Sequence, residues 1–516
     1  MNVRRSGVLG VAAAAVAALA TSAAAGSAVA SPIARTSATE SITVDTRTPT
    51  RVVPGNFIGL GLEYRTIPAF AGNDPKHIDP VFLQLVRNLD PGQQTLIRLG
   101  GQSTDRVWVP IHGVKQSPGI TYDLTRRWIA TARAMTRALN ARLIVGINLE
   151  ANSTRLAGTE ARTLVKAFGK SHVQSLEIGN EPDLYTVTPW YRVENGHPIP
   201  WYEKTGSPVL ARSPGYSLGN FTADFSRFAR KLPGLALAGP ATGNVGWLSG
   251  LSRFIGAEPR LRDVTFHRYG LNNCVHDPGS PDYPSVSNLL APHASRGIMD
   301  GVGPFVSLSH QHHLSFVIDE MGSITCNGTA GVSDTFASAL WAVDSMFTMV
   351  SGGVDAVNLH SFQNSLNGLF DFRLSHGHWE GSVHPMYYGM LMFAQAAPPG
   401  SRLLHVAGPA DGDLRTWATV ARDGTIRTVM INDSQSSGRN VSVRGMPGGS
   451  ATLQRLEAPS ARAKIGVSIG GRHFAKNTRT GKLVGKPKFS RVTSTNHGYS
   501  VWLPPATAAL LTISHT

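Results

Sequence analysis

The sequence predicts an α/β fold: a (β/α)8 TIM barrel with a C-terminal β-sandwich. Three observations carry this. Eight short apolar runs, each suited to a strand buried on both faces, lie at 57–62, 95–99, 143–149, 173–178, 235–239, 263–266, 315–318 and 356–359. Segments of helical period separate them, at 80–88, 124–139, 161–168, 218–231, 247–255, 302–310 and 333–350. After Pro398-Pro399-Gly400 the pattern changes to short alternating strands broken by turn signals such as Asp423-Gly424 and Pro447-Gly448-Gly449. Eight βα units argue a closed parallel barrel. An open doubly wound sheet would carry a glycine-rich nucleotide loop after its first strand, and Gly59-Leu60-Gly61-Leu62-Glu63 has no third glycine at that spacing.

The ends of the chain are organised differently from its middle. Residues 1–30 read as a signal peptide: Arg4-Arg5, an apolar stretch over 8–20, then Ala28-Val29-Ala30 before Ser31. Secretion follows; two arginines do not separate twin-arginine export from the general route. Residues 31–40 form a leader, and 41–54 alternate as a strand that joins the β-sandwich of 397–516. The barrel of 55–396 is then inserted into that β domain. No later segment is long and apolar enough to span a membrane.

With 48 Lys+Arg against 33 Asp+Glu the net charge is +15, which suits acidic partners such as uronic-acid polymers. No nucleic-acid-binding motif accompanies the charge. Beyond Glu457 the chain has nine basic residues and no acidic one, so the β domain presents either an anionic-polysaccharide face or a solvated basic surface. The two cysteines, Cys274 and Cys326, follow neighbouring barrel strands, and an oxidising compartment favours a disulfide between them.

Chemistry is expected where two apolar runs stop in acids. Leu176-Glu177-Ile178-Gly179 leads into Asn180-Glu181-Pro182, and Phe316-Val317-Ile318 into Asp319-Glu320-Met321-Gly322. Parallel barrels place reactive groups at the C-terminal ends of their strands. Two glutamates on strands four and seven can meet across the mouth, as hydrolysis of a glycosidic bond with retention requires: one attacks the anomeric carbon, the other moves the proton. Other strand ends offer groups for a sugar: Glu63 after strand one, Arg98 and the Gly100-Gly101 turn after strand two, and Asn148 closing strand three.

The segment from Leu176 to Tyr185, together with Glu320, resembles glycoside hydrolase family 79, the β-glucuronidases and heparanases. Ile469-Gly470-Gly471-Arg472-His473-Phe474 and Thr480-Gly481-Lys482 are similar to its β domain. The resemblance implies Glu181 as acid/base, Glu320 as nucleophile, Asn180 on the sugar 2-OH, and Tyr269 of His267-Arg268-Tyr269 holding the nucleophile ionised. The loop after the nucleophile carries Thr325 where heparanase-like relatives have a tyrosine for the uronate; Thr325, Asn327 and Gly328 are what this chain offers there. An exo-acting β-glucuronidase is implied. The alternatives are an endo-acting hydrolase of acidic polysaccharide, a neutral-sugar relative in the same clan, and a binding protein for polysaccharide. No cofactor and no metal is expected. His-Glu-x-x-His is absent, and His310, His312, His313, His376 and His378 lack convincing ligand partners. No nucleophile elbow or phosphate loop appears.

Overall fold

The computed structural model describes residues 39–409, 412–495 and 498–514; the expected signal peptide and most of the leader lie outside them. Eight parallel strands close into a barrel: Ile58–Leu62, Leu96–Leu99, Arg142–Ile147, Val173–Ile178, Leu237–Thr242, Leu261–Leu271, Ser315–Ile324 and Ala356–Ser361. They occur at the eight apolar runs. Helices wrap the barrel, among them Pro80–Leu89, Arg126–Leu139, Thr154–Phe168 and Phe336–Ser351. Their starts follow local chemistry. The side chains of Asp79, Thr125 and Ser153 accept the first free backbone N–H groups of three of them.

Period-two alternation fills the barrel in layers. Leu96, Ile144, Ala238, Val317 and Ala356, from five strands, pack together as an apolar layer. Two residues further along, the same faces present Arg98 and Asp319, and Glu177 joins them from strand four. All three are buried. The polar layer under the barrel mouth is therefore set by the alternation that sets the core.

A second sheet of ten strands forms the β domain. Thr39–Asp45 pairs antiparallel with Arg402–Ala407 and parallel with Arg439–Arg444, tying the segment before the barrel to the one after it. Ile42, Val44, Val441 and Val501 meet Leu414, Met430, Leu453 and Leu511 in one core, so the sheet folds over itself as a sandwich. The barrel's outer core continues into Val429, Ile431, Leu456 and Leu510. Several β-domain cations are paired: Arg415 with Asp433, Arg439 with Glu40, Lys464 with Asp334 and Arg479 with Glu380. Among the described residues, no helix is long and apolar enough to cross a membrane.

Candidate active site

Two backbone devices aim the glutamates. On strand seven, Ile318 pairs with Phe266 and Glu320 with His267, which leaves Asp319 as the extra residue of a bulge. Without it, alternation would send Asp319 and Glu320 to opposite faces. With it, both reach Arg98. After strand four, Gly179 has φ +80° and Glu181 φ +47°. A Cβ on Gly179 would come 2.6 Å from the Tyr185 hydroxyl, so only glycine fits this turn. Glu181 holds a left-handed backbone without being glycine, a strained conformation of the kind that often marks function.

Arg98 is the hub beneath them. Its Nε lies 2.7 Å from Glu177 and 3.1 Å from Asp319, its Nη1 donates to Glu320 at 2.9 Å, and its Nη2 donates to Asn180 Oδ1 at 2.8 Å. His267 sits between the two glutamates. Its Nδ1 is 3.1 Å from Glu181 Oε1 and 3.9 Å from Glu320 Oε2, and its Nε2 is 3.6 Å from Asp319. Tyr269 donates its hydroxyl to Glu320 Oε1 at 2.7 Å, and His360 Nδ1 lies 3.1 Å from the same oxygen. Carboxylate oxygens of Glu181 and Glu320 approach within 4.8 Å.

These neighbours divide the two acids. Burial alone would raise the Glu320 pKa; His360, His267 and Arg98 overcome it and hold the carboxyl well below its ordinary range. Glu320 is a fixed anion. His267 is held well above its ordinary value: burial opposes its charge, but Glu320 and Asp319 outweigh burial. His360 is raised to about 10 in the same way, by Glu320 and Glu63 against burial. Tyr269, raised by burial and by Glu320, stays a hydroxyl donor. Glu177 is pushed up to about 8, first by burial and then by Asp319 against the pull of Arg98, so it carries a proton and Asp319 the charge. Glu181 keeps 27% of its side chain exposed, the half-open setting a proton donor needs to reach both substrate and water. Two carboxylates and an imidazole make a metal-ligand set in outline. A protonated His267, with Arg98 and His360 already against Glu320, does not fit a dication.

The structure brings together Glu181, Glu320, Asn180, His267 and Tyr269. It sets other expected residues to other work. Glu63 accepts from the backbone N–H groups of Gln102 and Ser103 at 3.0 and 2.7 Å and so shapes the Gly101 turn beside His360. Gly101 has φ +90°, and a Cβ there would stand 2.6 Å from the Glu63 carboxylate. Asn148 is fully buried, its amide donating to Val107 O and accepting from Ala151 N, so both ends of the side chain are already held by backbone. In the loop after strand seven, Thr325 donates to Asn272 Oδ1, and the Gly328 amide donates to Thr325 O, while Asn327 is exposed at φ +74°. Cys274 and Cys326, the expected disulfide pair, are exposed free thiols that lie beside each other: burial and then Cys274 raise the Cys326 thiol. His360 and Asp319 were missed. His360 directly follows an apolar run, as Glu181 and Glu320 nearly do; Asp319 lies two residues beyond Val317 on the same face, where alternation alone would have placed it inward.

No family model matches the chain. Among curated proteins it is similar to a β-glucuronidase of Aspergillus niger, 22% identical over 485 residues, covering 83% of this chain and 84% of that one. It is also similar to a β-glucuronidase of Neurospora crassa, 23% identical over 416 residues, covering 73% and 69%. The fold matches a rhamnosyl-glucuronidase from Fusarium oxysporum solved with a Rha-GlcA ligand, with TM-score 0.68 and 16% identity over 91% of this chain and 100% of that one. The chain is a family 79-like relative of the (β/α)8 glycoside hydrolases. A family 51 arabinofuranosidase from Xanthomonas axonopodis pv. citri shares the hydrolase's fold more distantly, with TM-score 0.63, 14% identity and coverage of 92% and 99%.

The buried acids give the hydrolase a stability profile. Burial raises Glu177 and Glu150 to about 8 and Asp79 and Asp90 to about 7. A carboxyl raised in the fold stabilises fully below its unfolded pKa of about 4 and loses that contribution as pH rises through the folded value. His360, raised to about 10, loses its contribution in the same direction at higher pH. The melting temperature is therefore expected to fall by a few degrees between about pH 5 and pH 8. Scanning calorimetry across that range checks it, and a melting temperature that rises with pH refutes the assignment.

Proposed function

We propose that this chain is a secreted, retaining, exo-acting β-glucuronidase that removes terminal β-D-glucuronate. The observation that carries the mechanism is the pair of carboxylates within 4.8 Å, one a fixed anion and one half-exposed. Retaining enzymes hold their carboxyl groups about 5–5.5 Å apart, inverting ones about 6.5–9.5 Å. Glu320 attacks the anomeric carbon while Glu181 gives its proton to the leaving oxygen. Glu181 then takes a proton from water, which displaces Glu320 and frees the sugar with its configuration kept. His267 and Tyr269 hold the two carboxylates in register. With Asn180 Oδ1 held by Arg98, the amide NH2 is the end left to donate to the sugar 2-OH.

The glucuronate assignment draws on the two curated relatives. Export draws on the signal-like sequence of residues 1–30. The test is hydrolysis of p-nitrophenyl β-D-glucuronide by the mature protein, with the β-glucoside beside it. Cleavage of the glucuronide with little or no cleavage of the glucoside is expected. Cleavage of the glucoside alone would move the protein to a neutral-sugar specificity, through a loop in which Thr325 replaces the tyrosine.

A further inference from the structure

Glu181 sits on a turn that does not hold itself. Gly179 and Glu181 both have left-handed backbone, and Asn180 between them accepts from Arg98. A turn of this kind keeps its shape only where its surroundings over-determine it. On one side the Glu181 N–H donates to Ala241 O of strand five at 2.8 Å. On the other side the holder is a side chain, that of Asp105.

Asp105 comes from the 3-10 turn Gln102–Arg106 after strand two, and it is buried. Its two carboxylate oxygens serve two strand ends. Oδ1 accepts from Leu149 N at 2.6 Å and from Glu150 N at 3.0 Å, just beyond strand three. Oδ2 accepts from Asn180 N at 3.0 Å and from the Tyr185 hydroxyl at 2.6 Å, just beyond strand four. These last two bonds bracket Glu181, one at the residue before it and one a turn after it. Tyr185 is itself held in place: its hydroxyl is the atom a Cβ on Gly179 would meet, and Arg212 lies 5.6 Å over its ring while donating to Leu149 O. The turn that carries Asp105 is fixed in its own right by Glu63, through the N–H groups of Gln102 and Ser103. Glu320 is held by a different set, Arg98, Tyr269 and His360, which reaches the acid/base turn through the bond from Arg98 to Asn180.

We infer that Asp105 is a positioning residue for the acid/base: anchored on the end of strand three, it clamps the turn that presents Glu181 and leaves the nucleophile to its own partners. The inference rests on the reading of Glu181 as acid/base. A misplacement of about 1 Å in a reacting group costs on the order of 100-fold in rate, so a clamp on this turn acts on proton transfer without touching the substrate. Asparagine at 105 keeps the shape of the side chain and cannot keep its bonds. An amide has one oxygen, so its NH2 end meets two donors whichever way it sits.

The experiment measures kcat and KM for phenyl and 2,4-dinitrophenyl β-D-glucuronide in the wild type, Asp105→Asn and Tyr185→Phe. Phenol needs a proton to depart and dinitrophenol does not. In Asp105→Asn, kcat/KM for the phenyl substrate is expected to fall about 100-fold, and for the dinitrophenyl substrate by less than about fivefold. On the dinitrophenyl substrate kcat and KM fall together, because the covalent sugar waits for a misplaced base. Tyr185→Phe removes one donor and keeps the carboxylate, so it shows the same pattern at several-fold size; it decides the matter if Asp105→Asn does not fold. Equal losses on both substrates, a fall in kcat at constant KM, or no loss in either variant overturns the inference, since damage to the fold alone lowers the active fraction without regard to the leaving group. Wild type inert on the glucuronides overturns the glucuronate reading alone, and the matching β-glucosides then carry the same comparison. Wild type inert on all four substrates overturns both.

Discussion

Glu320→Gln is expected to lower turnover by about 10⁴-fold or more, with a cooperative fold retained. The substitution keeps shape and volume, so any loss is chemical and not a packing defect. A neutral amide cannot attack the anomeric carbon, and it removes the anion around which the site is organised. Arg98 loses one of its carboxylate partners, and His360 and His267 lose the carboxylate that each faces. Three cations then share Glu63, Glu177 and Asp319 as their remaining buried acids, with Glu177 protonated. The cheapest response is for His360 to give up its proton, because its raised pKa of about 10 depends first, among the charges, on Glu320. Its imidazole is therefore expected to titrate near the ordinary histidine value in the variant, readable by NMR. The melting temperature falls by a few degrees as part of the buried charge balance is lost. Activity within about tenfold of wild type would remove Glu320 from the nucleophile's role. An unchanged His360 titration would separate the electrostatic account from the catalytic one.

Much of this site was legible because barrel geometry turns one-dimensional pattern into position. An apolar run ended by a polar residue marks a strand and its reactive end at once, which is why Glu181 and Glu320 could be paired from sequence. The same rule, applied one residue past the apolar run at 356–359, would have found His360. It fails where local backbone breaks the alternation. Nothing in Ile318-Asp319-Glu320 announces that one residue is bulged and that both acids face inward. It also says nothing of partners, as at Asn148, whose amide is taken up by the backbone of Val107 and Ala151. Glu177 and Arg98 were visible as charges inside apolar strands; their meaning needed the barrel to close, since they meet from strands four and two. The short strands Pro189–Glu194, His197–Ile199 and Ser207–Leu210 went unassigned, because they are brief and each carries a proline. The helix Pro385–Ala396 went unread for the opposite reason: it is buried almost all round, so it has no amphipathic period to detect.

Glu181→Ala is expected to separate the two halves of the reaction. Without a proton donor, substrates with poor leaving groups lose about 10³-fold in kcat/KM. A substrate whose leaving group needs no proton still forms the covalent sugar on Glu320, because the nucleophile and its cations are untouched. Water, lacking a base, then removes that sugar slowly, so the intermediate accumulates and KM falls together with kcat. Azide needs no general base and fits where the carboxyl was, beside His267, whose Nδ1 lies 3.1 Å from Glu181 Oε1 in the native site. It is expected to restore turnover and to yield a β-glucuronosyl azide. The β product follows from two inversions at one carbon, which the 4.8 Å approach of the carboxylates permits and a water-sized gap would not. An α-azide would mean a single displacement. Glu320 would then be a base acting on water, and its tight clasp by Arg98, Tyr269 and His360 would have to be explained as lowering the basicity of a residue whose task needs it. Each of those three contacts favours the carboxylate over the acid, as suits a nucleophile that must also leave again.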